Sequence, residues 1–106
     1  MASEYLYRLV PTKLEMLTEG PTQLDTELVE AHFNYLQAAV AKGILLLAGR
    51  TTLLDERTFG IAVFKAETEE EARRFMENDP AVSGGVMRAE LFPFRVALLA
   101  KDWAGE

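Results

Sequence analysis

Cysteine is absent from the 106 residues. That excludes disulfides, thiolate nucleophiles and cysteine metal centres. Histidine occurs once, at His32. A metal site would therefore rest mostly on carboxylates, and no ligand spacing of that kind is present. No resident cofactor is expected. Cations are scarce: 11 Lys and Arg stand against 17 Asp and Glu, a formal net charge of −6. Phosphate contacts need clustered cations, so neither nucleic acid nor an anionic membrane surface is an expected partner. Long apolar runs are missing too. The longest, residues 44–48 and 96–100, are far too short to span a bilayer. The opening stretch MASEYLYRLV carries Glu4 and has no basic region before a long apolar run, unlike a signal peptide. A cytoplasmic location is the resulting expectation.

What is present is apolar residues, 49% of the chain, enough for one domain with a small core. No linker, repeat or low-complexity segment divides it. We read 1–106 as a single domain, with a core over about 4–95 and a tail over 96–106. Trp103 lies in that tail, where it is expected to dock on the surface or on a partner subunit.

The spacing predicts one long amphipathic helix over 22–43. Leu28, Val29, Tyr35, Leu36, Ala39 and Val40 share a face, and His32 points into it, four residues from both Leu28 and Leu36. Thr22 with Asp25 resembles a capping box, Asp25 itself is an alternative cap, and Gly43 suits the helix end. Residues 4–10 alternate as a strand, with Arg8 the charge on an otherwise apolar face. Residues 11–21 read as a loop with a short extended piece over 14–17. Residues 44–49 and 59–64 read as strands buried on both faces, joined by a polar connection over 51–58. Thr68 and Glu71 open a second helix over 68–78 with a capping box. The Asp79-Pro80 pair ends it. A turn over 81–85 leads to a last strand over 86–91 and an apolar tail.

The order strand, helix, strand, strand, helix, strand is the split βαβ pattern. It implies an α+β, ferredoxin-like βαββαβ fold, an antiparallel sheet with two helices on one face. Two helices cover only one side. Strands that are apolar on both sides would then leave an exposed patch in a monomer. A two-fold homodimer is the expected remedy.

His32-Phe33-Asn34-Tyr35-Leu36, Leu46-Leu47-Ala48-Gly49, Asn78-Asp79-Pro80-Ala81-Val82, Gly85-Val86 and Phe92-Pro93-Phe94, taken as an ordered set, resemble the YciI-like (YCII-related) domain family. The resemblance covers the chain from about the first strand to Phe94. It implies a dimeric α+β barrel and an active site built on one histidine and one aspartate, here His32 and Asp79. The wider fold group includes isomerases, dehalogenating enzymes and monooxygenases. Many members have proline after the Ala-Gly pair, where this chain has Arg50.

From periodicity alone, His32 reads first as a neutral core histidine and second as an acid/base. Asp79 reads as a turn residue, or as an anion at the unfavourable C-terminal end of a helix that seeks a cationic partner. The resemblance favours a pair in which Asp79 orients His32. The expected substrate-binding set is Arg8, Tyr35, Gly49, Arg50 and Ser83. Arg8 and Arg50 are candidate anion clamps, or alternatively salt-bridge partners. Tyr7, Tyr35, Phe92 and Phe94 are candidate pocket walls. Val82-Ser83-Gly84-Gly85 is neither a nucleophile elbow nor a nucleotide-binding fingerprint. The functional expectation is a small homodimeric enzyme moving a proton on a small organic or lactone-like acid, by isomerase or lyase chemistry. The alternatives are a non-catalytic metabolite-binding or sensor dimer and, more weakly, a monooxygenase.

Overall fold

Strand β1 (Ser3–Pro11) lies inside a four-stranded sheet, between β3 (Gly60–Ala66) and β4 (Met87–Phe94), with β2 (Leu45–Arg50) beyond β3. Every pairing is antiparallel. The order β2-β3-β1-β4 is the ferredoxin-like arrangement. The computed structural model describes residues 2–100, so Trp103 lies outside the described residues. Between the strands run helices α1 (Glu15–Thr18), α2 (Gln23–Ala41), α3 (Glu69–Glu77) and α4 (Pro80–Ser83). Among the described residues no helix is long and apolar enough to cross a membrane.

The two long helices start and stop for the expected reasons. Thr22 accepts from the Asp25 N–H, and the Asp25 carboxylate accepts from the Thr22 N–H, closing a capping box. Gly43 takes φ 75° just past the C-cap Lys42, where a side chain would be strained. Thr68 caps α3 through the Glu71 N–H, but the Glu71 carboxylate reaches the Glu67 N–H at 3.4 Å. Only half of the second expected box is formed.

Two short segments differ from expectation. Residues 15–18 form one helical turn, not an extended piece, because four residues carry too little periodicity to tell the two apart. Residues 80–83 form a one-turn helix where a turn was expected. Pro80 supplies a helix-compatible φ at the first position.

Tyr7, Leu9, Ala62 and Phe64 point from the sheet toward the helices. They pack with Leu36 and Ala39 of α2 and Ala72 and Met76 of α3. Alternation sends Leu6, Arg8, Ile61, Val63, Phe92 and Phe94 to the opposite face. Phe92, Phe94 and Leu47 are 37%, 42% and 46% exposed there. The expectation that residues 44–49 are buried on both faces therefore fails within one chain. β2 is an edge strand, and among the described residues nothing covers its outer side.

Candidate active site

Helix α2 carries His32 to the inner face of the sheet, and Asp79 meets it from the junction of α3 and α4. Asp79 Oδ1 and Oδ2 lie 2.7 and 2.8 Å from His32 Nδ1. The junction has a local cause. Pro80 cannot prolong α3, whose C-cap is Asn78, so Asp79 turns extended at ψ 124° and begins α4. Its Oδ1 then accepts the Ala81 N–H at 3.0 Å. This corrects the expectation that Asp79 faces the unfavourable end of a helix. It is the N-cap of the next one, where free N–H groups favour a carboxylate.

Asp79 is fully buried, yet its oxygens are well supplied with donors. Tyr7 Oη donates to Oδ2 at 2.7 Å, alongside the Ala81 N–H and His32 Nδ1. An ionised carboxylate only accepts, so the ring proton of neutral His32 belongs on Nδ1 and the lone pair on Nε2. Among the described residues no buried side-chain nitrogen or oxygen lacks a partner. His32 keeps 17% of its side chain exposed, and with Nδ1 held by Asp79 the free edge of the ring is the Nε2 side.

That edge meets a cavity of about 460 Å³, which His32 lines together with Leu9, Leu36, Arg50, Thr58 and Met87. Met16 and Leu17 of α1 form part of its wall. The α1 segment is clipped to α2 by the Lys13–Asp25 ion pair at 3.1 Å. The Thr22 backbone N–H, with further help from Lys13 and the Thr22 hydroxyl, holds the Asp25 carboxyl below its ordinary range. Most of the cavity lining is apolar. Its polar residues include His32, Arg50 and Thr58, whose hydroxyl is bonded to that of Thr51 at 2.7 Å.

Arg50 reaches this cavity because β2 carries a bulge. Leu45 pairs with Phe64, but Leu47 pairs with Val63, so Leu46 is the extra residue. Beyond it Ala48 pairs with Ala62 and Arg50 with Gly60, on the helix-facing side. With regular pairing the alternation would turn Arg50 the other way.

The expected site residues divide accordingly. His32, Gly49 and Arg50 line one cavity, with Asp79 directly behind the imidazole. Arg8 is on the other face of the sheet, its guanidinium 5.0 Å from the centre of the Phe59 ring. The Tyr35 hydroxyl donates to the Phe75 carbonyl at 2.7 Å. Burial, and then the Asp79 charge, push that phenol up to about 12. Ser83 is exposed. None of Arg8, Tyr35 and Ser83 lines the cavity. Phe92 and Phe94 are on the outer sheet face, so they do not wall it either. Tyr7 does not wall the cavity but backs the pair, a role that sequence reasoning missed. The available signal was a tyrosine on the inward face of a strand, whose hydroxyl must find a partner.

Among the described residues no cluster of His, Asp and Glu is arranged to hold a metal ion. A model of the YCII-related domain matches residues 8–95. No curated protein matches the sequence. Among solved structures, the chain is similar to the 5-chloro-2-hydroxyhydroquinone dehydrochlorinase of Burkholderia phenoliruptrix, determined in complex with 2,5-dihydroxybenzoquinone. The TM-score is 0.61 at 21% identity, covering 86% of this chain and 93% of that one. At that identity the likeness concerns the fold.

Proposed function

The chain belongs to the YCII-related domain family, and from its site we propose a small-molecule enzyme that moves a proton through His32, with Asp79 as the orienting partner. The observation behind this reading is the Nδ1–Asp79 contact at 2.7 Å beside a cavity that His32 lines. In its neutral form Nε2 takes a proton from a carbon next to a carbonyl group. The electron pair left behind moves onto the carbonyl oxygen as an enolate, whose charge Arg50 offsets. The imidazolium is balanced by Asp79. Isomerisation follows when His32 returns the proton to a different carbon. Elimination follows when a group on the neighbouring carbon leaves with its electron pair and His32 later releases the proton to water. An apolar cavity containing one guanidinium suits a small, largely apolar molecule with one anionic oxygen, a carboxylate or a phenolate. The dehydrochlorinase named above acts on a compound of the second kind, which is consistent with this reading.

We also propose that the exposed apolar sheet face around Leu47, Phe92 and Phe94 is covered by a second copy, giving a two-fold barrel. Sedimentation at micromolar concentration is expected to report a dimer. A stable monomer would overturn that assembly without touching the chemistry.

The chemistry is tested with a panel of small carboxylates and phenols. Thermal shift identifies those that bind, and NMR in heavy water follows exchange of their carbon-bound protons. His32→Asn is expected to retain binding and to slow the exchange by about 10²- to 10⁴-fold. Unchanged exchange in His32→Asn would remove the histidine from the reaction. Binding with no exchange for any member of the panel would make the protein a metabolite binder.

A further inference from the structure

The chemistry proposed above uses Nε2 of His32 and the carboxylate of Asp79, and makes no use of the phenol behind them. Tyr7 is completely buried on β1. Its ring is held edge-on by Phe64 and Phe75, with centroids 5.6 and 6.1 Å away and interplanar angles of 75° and 71°. Packed in this way the ring has little freedom, and its hydroxyl is aimed at Asp79 Oδ2, 2.7 Å away. A phenol this deeply buried is costly unless its O–H is bonded. Burial, and then the Asp79 charge, also raise it above its ordinary value, so it remains a donor across the working pH range.

We propose that Tyr7 is a positioning residue that acts on His32 through Asp79, fixing the carboxylate and moderating its pull on the Nδ1 proton. The physical reason is competition for one anion. Each donor that Asp79 accepts withdraws charge from it and weakens it as an acceptor for the others. The phenol, the Ala81 N–H and the imidazole share two oxygens. Remove the phenol, and the carboxylate holds the imidazolium more strongly. The titratable groups around the imidazole come from several elements. They are Tyr7 on β1, Asp79 ahead of α4, Tyr35 on α2 itself and Arg50 on β2. The residues of β4 and α1 that line the same cavity as the imidazole are Met87, Met16 and Leu17, which carry no charge. Of these groups, only Tyr7 both bonds Asp79 and can lose that bond with the ring kept in place.

The role within catalysis rests on the acid/base reading, but the test does not need a substrate. The His32 ring is followed by nitrogen NMR through its titration. Tyr7→Phe is expected to move the midpoint upward by about half a pH unit, the worth of one hydrogen bond to a charged group shared between two states. Asp79→Asn is expected to move it downward by about one unit or more. Since Tyr7 acts through Asp79, the Tyr7→Phe shift should vanish in the Asp79→Asn background. Site-specific 3-fluorotyrosine at position 7 keeps the packing and strengthens the donor, so the midpoint should fall. The proposal is overturned by an unchanged midpoint in both Tyr7 variants, or by a Tyr7→Phe shift of the same size in the Asp79→Asn background. A missing substrate in the exchange assay would leave this result standing.

Discussion

A Cβ added to Gly84 would sit 2.6 Å from Leu28 Cδ2 and 2.8 Å from the Pro80 carbonyl oxygen. The end of α4 is thus pressed against α2, one helical turn before His32. The Leu28 tip can swing aside, but the Pro80 carbonyl belongs to the backbone of α4 and cannot. Gly84→Ala should therefore distort the last turn of α4, which Asp79 caps, and cost about 1–3 kcal/mol. Urea denaturation measures the cost. The His32 Nδ1 proton should exchange with solvent faster in the same variant.

Asp79→Ala and Asp79→Asn should separate stability from chemistry. Alanine leaves the Tyr7 hydroxyl and His32 Nδ1 facing an apolar gap, and should cost about 2–4 kcal/mol. Asparagine retains an oxygen for Tyr7, but can turn its amide N–H₂ toward Nδ1. The imidazole proton then moves to Nε2, and the lone pair needed for proton abstraction is lost. Denaturation should find Asp79→Asn more stable than Asp79→Ala, and nitrogen NMR should find its His32 tautomer reversed.

Both the fold and the candidate pair could be read from the sequence in unequal measure. His32 was legible because a 19-residue helix repeats its apolar face often enough to place one ring on it. Asp79 was legible as the end of α3, since the proline after it acts locally. Its role as the cap of α4 was not, because a single turn has no period. The Tyr7–Asp79 bond joins residues 72 positions apart, and no local pattern reports such a contact. Arg8 shows the opposite failure. Its place between the inward residues Tyr7 and Leu9 sends it to the outer face by simple alternation, so the strand reading already argued against it as a clamp in this cavity.

Alkaline pH should weaken the fold through two tyrosines. Tyr35 is pushed up to about 12, and Tyr7 is raised further by burial and by Asp79. A phenol whose folded value lies above its unfolded value of 10.0 contributes stability that is complete below that value. The contribution is lost as pH rises through the folded value. Thermal melts should hold steady as pH approaches 10 and then fall, and Tyr7→Phe should show a shallower fall. Phenolate absorbance in the folded protein should rise later for these two residues than in the urea-unfolded chain.

Acid should act at a different place. Asp25 is held low by the Thr22 backbone N–H, with Lys13 and the Thr22 hydroxyl adding to it. Its contribution is present above the ordinary carboxylate value of 3.8 and lost as pH falls through the lower folded value. Asp25→Asn should abolish the acid-dependent part at neutral pH. Since Asp25 clips the segment carrying Met16 and Leu17, amide exchange over 13–22 should quicken more than exchange in the sheet.

The extra residue in β2 has a consequence beyond local geometry. If Leu46 itself paired with Val63, the rest of β2 would slide by one residue and the guanidinium of Arg50 would pass to the far side of the sheet, with no change in sequence. Pairing register, as well as residue type, thus decides whether the cavity holds a positive charge. Among relatives of this chain, an arginine aligned with Arg50 is equivalent to it only where its pairing with the position of Gly60 is also kept.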